Sequence, residues 1–144
     1  MSQTHDTFPD AEAFVTWALR DAAITDLDGV HTSMPKQPAA TVAIVGRIGG
    51  IPVERHRLDS PSIQVDVYAP TQSVAHDVAA ECRAALMRLE GGAFGIGMDD
   101  CPVPIVVTLV EDSLGLSFIP DPTTSKDRYI FGVRLVTHAI GTQS

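Results

Sequence analysis

Residues 47–89 read RIGGIPVERHRLDSPSIQVDVYAPTQSVAHDVAAECRAALMRL, and they decide the fold because a strand and a helix follow one another within them. Between Pro61 and Ala69 the chain alternates: Ile63, Val65 and Val67 point one way, and Ser62, Gln64, Asp66 and Tyr68 point the other. Such alternation marks a strand with one core face and one polar face. After Pro70 the period becomes helical. Thr71 or Ser73 caps a helix that continues to Glu90, ahead of Gly91-Gly92. Val74, Val78, Cys82, Ala85, Leu86 and Leu89 form its core stripe, and Ala80, Ala84 and Met87 a smaller stripe on the far side. The small residues of that second stripe either serve helix propensity on a solvated face or admit a packed partner.

Just before the strand, Gly49-Gly50 marks a turn, followed by a basic loop. Arg47, Arg55, His56 and Arg57 make the densest positive region of the chain. No aromatic residues are interleaved with them, so stacking on single-stranded nucleic acid is unsupported. The cluster reads as a solvated hairpin arm, or as an arm that meets an acidic patch on a neighbouring protein.

Working outward, Asp10 caps a first helix running to about Ala23, with Ala11, Phe14, Val15, Ala18 and Ala22 on its core stripe and Leu19 at the edge. Trp17 and Ile24 lie off that stripe; Trp17 either tucks under a loop or contacts another subunit. A turn-rich connection from Asp26 to Pro38 holds a short strand near Val30–Met34, and the mixed apolar character of Thr41–Ile48 marks a strand at least partly covered on both faces. Beyond the glycine-rich link Gly91–Gly97, strands are expected over Pro104–Glu111 and Arg128–His138. Asp112–Asp127 reads as a long linker containing Leu114, Leu116, Phe118 and Ile119, too apolar for disorder. Asp66 and Arg134, both on outward faces, are candidates to pair across the sheet or across an interface. The expected architecture is α+β: an antiparallel or mixed four- to five-stranded sheet with two main helices packed on one face. One domain spans residues 1–144, with 1–7 and 140–144 as loose ends.

The totals suit this. A chain of 144 residues, 44% hydrophobic and 19% charged, buries a core without needing disulfides or metals. No apolar run approaches the roughly 18 residues of a membrane span. The opening Met1–Asp6 offers neither a basic nor an apolar run, so no secretory signal is expected and the chain should remain in the cytosol or in something assembled there. A formal charge of −8 opposes a conventional DNA-binding role, while suiting a wall that DNA slides past. Cys82 falls on a core stripe and reads as a buried thiol, and Cys101 shares no metal-ligand spacing with it.

No catalytic or cofactor motif emerges. His5, His31, His56, His76 and His138 are scattered without a ligand set. The adjacent acids Asp99-Asp100 and Glu111-Asp112 point to opposite faces if extended, so neither pair converges for acid–base work. Gly46–Gly50 lacks the Lys-Ser/Thr of a phosphate loop, Gly95-Ile96-Gly97 lacks a dinucleotide fingerprint, and no serine occupies a nucleophile elbow. The expectation is a non-enzyme with no catalytic, cofactor or metal site.

The strings Phe8-Pro9-Asp10, Arg47-Ile48-Gly49-Gly50, Glu54–Asp59, Ile63–Pro70, Val110-Glu111-Asp112, Gly115–Phe118, Pro120-Asp121-Pro122 and Arg128-Tyr129 extend over nearly the whole chain. Together with the order of elements they resemble the tail terminator, or tail completion, proteins of long-tailed bacteriophages. The resemblance implies a structural virion protein: a homohexameric ring at the head-proximal end of the tail, assembled in the host cytoplasm. Such a ring caps the tail tube, stops its polymerisation and joins the tail to the head. Implied partners are further copies of the chain, the tail tube protein and a head completion or neck protein, with DNA passing through unread and no membrane involved. A closed ring needs two different adhesive patches per subunit. Candidates are Trp17, Arg47, Arg55, His56, Arg57, Ala80, Ala84, Met87, Leu116 and Phe118. Alternatives are a neck connector at the head–tail joint, or a small-molecule-binding α+β domain with the 91–97 link as its pocket rim.

Overall fold

Asp10 and Thr71 begin the two helices in the way their side chains allow. Each holds an extended backbone; Asp10 Oδ1 accepts the Ala13 N–H at 3.0 Å, and Thr71 Oγ1 accepts the Val74 N–H at 3.3 Å. In the computed structural model, which describes residues 8–52, 58–95 and 100–140, these caps start α1 (Ala11–Asp21) and α2 (Gln72–Met87). The six strands are β1 (Gly29–His31), β2 (Val42–Gly49), β3 (Ser62–Ala69), β4 (Ala93–Phe94), β5 (Ile105–Phe118) and β6 (Asp127–Ala139). They form a single curled sheet in the order β1-β2-β3-β6-β5-β4. Only the β1–β2 pair is parallel.

Register explains where the core lies. Ile63 pairs with Val133 and Val65 with Phe131, and all four side chains are fully buried. Beside them on the same face lie Ala43 and Val45 of β2, opposite Val67 and Val65. Over this face pack Phe14, Val15 and Leu19 of α1 and Val78, Cys82 and Leu86 of α2, giving one hydrophobic cluster. Both helices therefore sit on one side of the sheet, as expected for an α+β layer pair.

The sheet has six strands, more than the four or five the sequence suggests. The additional pieces are short: β1 covers three residues, and β4 covers two residues inside the glycine-rich link. The larger correction concerns Asp112–Asp127. Instead of a long linker, β5 continues through Leu114 and Leu116 to Phe118, and the turn back to β6 spans only Ile119–Lys126. Three register shifts, at 107/109, 112/114 and 114/117, break the two-residue alternation and so hide the strand from its hydrophobic pattern. Lys126 Nζ ties the turn to the 39–40 backbone, donating to the Ala39 and Ala40 carbonyls at 2.9 and 2.7 Å.

Smaller differences have local causes. α1 stops at Asp21, so Ala22 becomes an exposed C-cap, not a core residue; Ala23 follows with φ at 51° and turns the chain away. α2 ends at Met87, short of Glu90, and its buried set includes Ala75 and Ala79, on the helix that α1 packs against. Tyr68, read as outward and polar, is only 8% exposed and lies beneath Arg128, whose guanidinium carbon is 5.7 Å from the ring centre. The Gly49-Gly50 turn needs its glycines: at Gly50 φ is +97°, and a Cβ would collide with the Ser60 carbonyl.

Candidate interaction surfaces

Polar side chains on the sheet are largely committed to partners within the chain. Arg47 donates from Nη1 and Nη2 to the two carboxylate oxygens of Asp59 at 3.0 and 3.1 Å. Asp59 is 1% exposed and also accepts the Ser60 N–H at 2.9 Å. The same guanidinium donates to the Gly49 and Gly50 carbonyls, and the Arg47 backbone N–H donates to a Glu12 carboxylate oxygen. Arg47 thus closes one end of the core and the end of β2. Arg55, His56 and Arg57, the rest of the basic arm, lie outside the described residues.

On the helix-free face, Arg134 grips Glu111 at 2.6–2.8 Å and donates to Ser60 Oγ at 2.7 Å. Asp66 instead accepts from Gln64 at 2.8 Å and faces Arg128 at 3.7 Å. The expected Asp66–Arg134 pair does not form, because the register sets Asp66 opposite Ile130, four residues along β6 from Arg134, or about 13 Å in extended chain. Burial works to lower the proton affinity of Arg128. The hydrogen bond that Arg128 donates to the Tyr68 hydroxyl and the charges of Tyr68, Asp66 and Asp121 outweigh it and hold the guanidinium above its ordinary range. Glu111 and Asp112 diverge to opposite faces: Asp112 turns to the helix side and pairs with Arg83 of α2 at 2.6–2.8 Å. That bidentate hydrogen bond holds the Asp112 carboxyl below its ordinary range.

The helix residues singled out in the sequence sit deeper than a free surface would require. Trp17 is half-buried in an aromatic group, with its ring centre 5.9 Å from Phe14 and 6.1 Å from Phe94. Its open side borders a cleft of about 660 Å³ between α1, the segment after β1 and Asp100. Ala80, Ala84 and Met87 are half-buried, with Met87 packed against the core. Leu116 also packs on the core, and Phe118 meets Tyr129 in a tilted contact with ring centres 5.4 Å apart, while Tyr129 in turn meets His76 edge-on. His76 bonds Asp77 at the exposed start of α2. The Cys82 thiol is pushed up to about 12 by burial, aided by the Glu81 charge, which leaves it protonated and inert. Cys101 Sγ donates to the Val103 carbonyl. Among the described residues, no three His, Cys, Asp or Glu side chains gather as a metal-binding group.

What remains open is apolar. Among the described residues the exposed large hydrophobic side chains are Ile48 (60%), Ile51 (78%), Leu114 (38%), Phe118 (36%) and Ile119 (41%). They fall into two groups, one where β2 ends and one along the outer part of β5, at opposite flanks of the sheet. Phe118 belongs to the sequence-derived set. Ile48 and Ile51 do not, because isoleucine at the end of a strand gives the same signal whether it is core or contact.

No protein-family model matches the chain, and no curated protein matches it.

Proposed function

We propose that the chain is an assembly protein of the tail terminator type, forming a ring that caps a phage tail tube and passes the tail on to the head. The observation that carries this reading is the division of its exposed large hydrophobic side chains between two separate flanks. A closed cyclic assembly needs two unlike patches on each subunit, and a monomeric enzyme needs neither. The sequence resemblance points the same way. So do the intramolecular pairs that occupy Arg47, Arg83, Arg128 and Arg134, leaving these cations poorly placed to grip DNA. With a net charge of −8, the surface lets DNA slide past.

Polymerising purified tail tube protein with and without this chain tests the reading. Tubes of bounded length, with additional density at one end in electron micrographs, are the expected result. A chain that stays monomeric at high concentration and leaves tube growth unchanged would remove the proposal. A second reading, a small-molecule-binding domain, draws on the cleft beside Trp17. A metabolite that raises the melting temperature and is lost on Trp17→Ala would favour it.

A further inference from the structure

The cleft beside Trp17 is a product of the sheet's curl. β1 and β4 are the two end strands, yet α1 touches both. Arg20 donates from Nε and Nη2 to the Val30 carbonyl of β1 at 3.1 and 2.6 Å, and Trp17 packs on Phe94 of β4. The segments beside those strands, 31–35 and 100–102, therefore wall the same cleft, of about 660 Å³. Its polar groups are sorted by side. Next to β1 stand Arg20, His31 and the hydroxyls of Thr32 and Ser33; on the other side stands the Asp100 carboxylate; the Trp17 indole belongs to the helix that joins the two. The His31 ring lies back over Gly29, where a Cβ would fall 2.8 Å from Nε2.

The two charges of this cleft do not neutralise one another. Arg47, Arg83, Arg128 and Arg134 each face a carboxylate within the chain. Arg20 does not, although the chain has 18 acidic residues and one of them lines the same cleft. Among the described residues Arg20 Nη1 has no hydrogen-bond partner, and Asp100 has no cation. Arg20 is oriented all the same. Its two bonds to one carbonyl fix the plane of the guanidinium and turn Nη1 away from Val30.

We infer that this cleft binds a small zwitterion with an aromatic body, an aromatic α-amino acid, whose carboxylate meets Arg20, whose ammonium meets Asp100 and whose ring lies against Trp17. The inference rests on the small-molecule reading above, names the ligand class of that cleft, and needs no ring. A simple anion would satisfy Arg20 while facing the like charge of Asp100, and a simple cation would face Arg20. A neutral ligand would strip water from both charges and pair neither. A zwitterion matches both walls at once. The indole adds an apolar face for an aromatic ring and a negative face for the ammonium. The volume lies within the range of small-molecule sites.

Trp17 is the single tryptophan of the chain, so its fluorescence reports on the cleft directly. The full-length chain is titrated with L-phenylalanine, with hydrocinnamate, which lacks the ammonium, and with phenethylamine, which lacks the carboxylate. Phenylalanine should give a saturable change in emission, and each truncated compound should bind about fivefold more weakly or worse. Asp100 is exposed, so Asp100→Asn should leave the fold intact. That variant should lose the preference for phenylalanine over hydrocinnamate and keep the preference over phenethylamine. A truncated compound that binds as tightly as phenylalanine, or an Asp100→Asn chain with both preferences unchanged, would overturn the zwitterion and leave the cleft a small-molecule site. If none of the three changes the emission at millimolar concentration, the amino-acid assignment falls, and the metabolite screen on melting temperature decides the broader reading separately.

Discussion

Replacing Arg47 with methionine tests whether the Arg47–Asp59 pair is a structural bolt or a spare surface charge. Methionine keeps the aliphatic stem and removes the guanidinium. Asp59, 1% exposed, would lose two charge-assisted hydrogen bonds of 3.0 and 3.1 Å and keep only the Ser60 N–H. Stranding one partner of a buried ion pair costs about 3–5 kcal/mol. Here the Arg47 side chain is 34% exposed, so water reaches the vacated position and the expected loss drops to about 2–3 kcal/mol. Asp59→Leu alone strands the arginine, which the Gly49 and Gly50 carbonyls and water still satisfy, and should cost about 1–2 kcal/mol. The double variant should lose less than the sum of the two, with a coupling of about 1–2 kcal/mol. Urea unfolding followed by circular dichroism at neutral pH, with unchanged m-values, measures all three. Additive effects, or a loss below about 0.5 kcal/mol for Arg47→Met, would refute the bolt and return Arg47 to the pool of free interface charges.

Three further outcomes follow from the packing and the charge pairs. Phe131→Ala, at a site with no exposure in the middle of the β3–β6 face, should cost about 3–5 kcal/mol in the same unfolding assay. Arg83→Ala breaks an exposed pair, its side chains 37% and 45% accessible, and should cost under about 1 kcal/mol, shrinking with added salt. Because the Asp112 carboxyl is held below its ordinary range, this small contribution is present above the unfolded carboxylate value and fades as pH falls through the lowered folded one. The Cys82 thiol, raised from 9.0 to about 12, stays protonated in the folded chain while the unfolded chain ionises. Stability should therefore fall by about 1.4 kcal/mol per pH unit between those two values. Cys82→Ala should lack that slope, and iodoacetamide should label Cys82 only on unfolding.

Legibility in the sequence followed the range of the interactions involved. β3 and α2 could be read from the chain because one partner layer covers each of them on one side, so burial and periodicity coincide at Ile63, Val65, Val67, Val78, Cys82 and Leu86. β1 and β4, with three and two residues, are too short to show any period. Trp17 lies off its helical stripe and yet packs, because Phe94 of β4 is brought against it from 77 positions away in sequence. Asp59 gives no sign of burial in its own neighbourhood, since Arg-Leu-Asp-Ser reads as a polar loop; its partner is 12 residues back, on β2. The adhesive candidates divide in the same way. Phe118 was visible as an apolar residue where a loop was expected, whereas Ile48 and Ile51 become conspicuous only once their exposure is measured.

The bulges that hid β5 also bear on what its flank can do. Each shift inserts a residue and twists the strand, so the outward backbone groups cannot offer a flat, regular ladder to an incoming strand. After the 112/114 shift, Leu114 pairs with Gly132, whose missing side chain leaves the leucine no cross-strand neighbour of any size. A Cβ at Gly132 would come within 2.8 Å of Ser113 Oγ and 3.3 Å of Leu114 Cβ, so the glycine is what lets β5 lie close at this point. The irregularity thus discourages edge-to-edge addition while keeping an apolar side chain on display. In the proposed ring, partner choice would then rest on side-chain fit and not on backbone pairing, which any strand could satisfy.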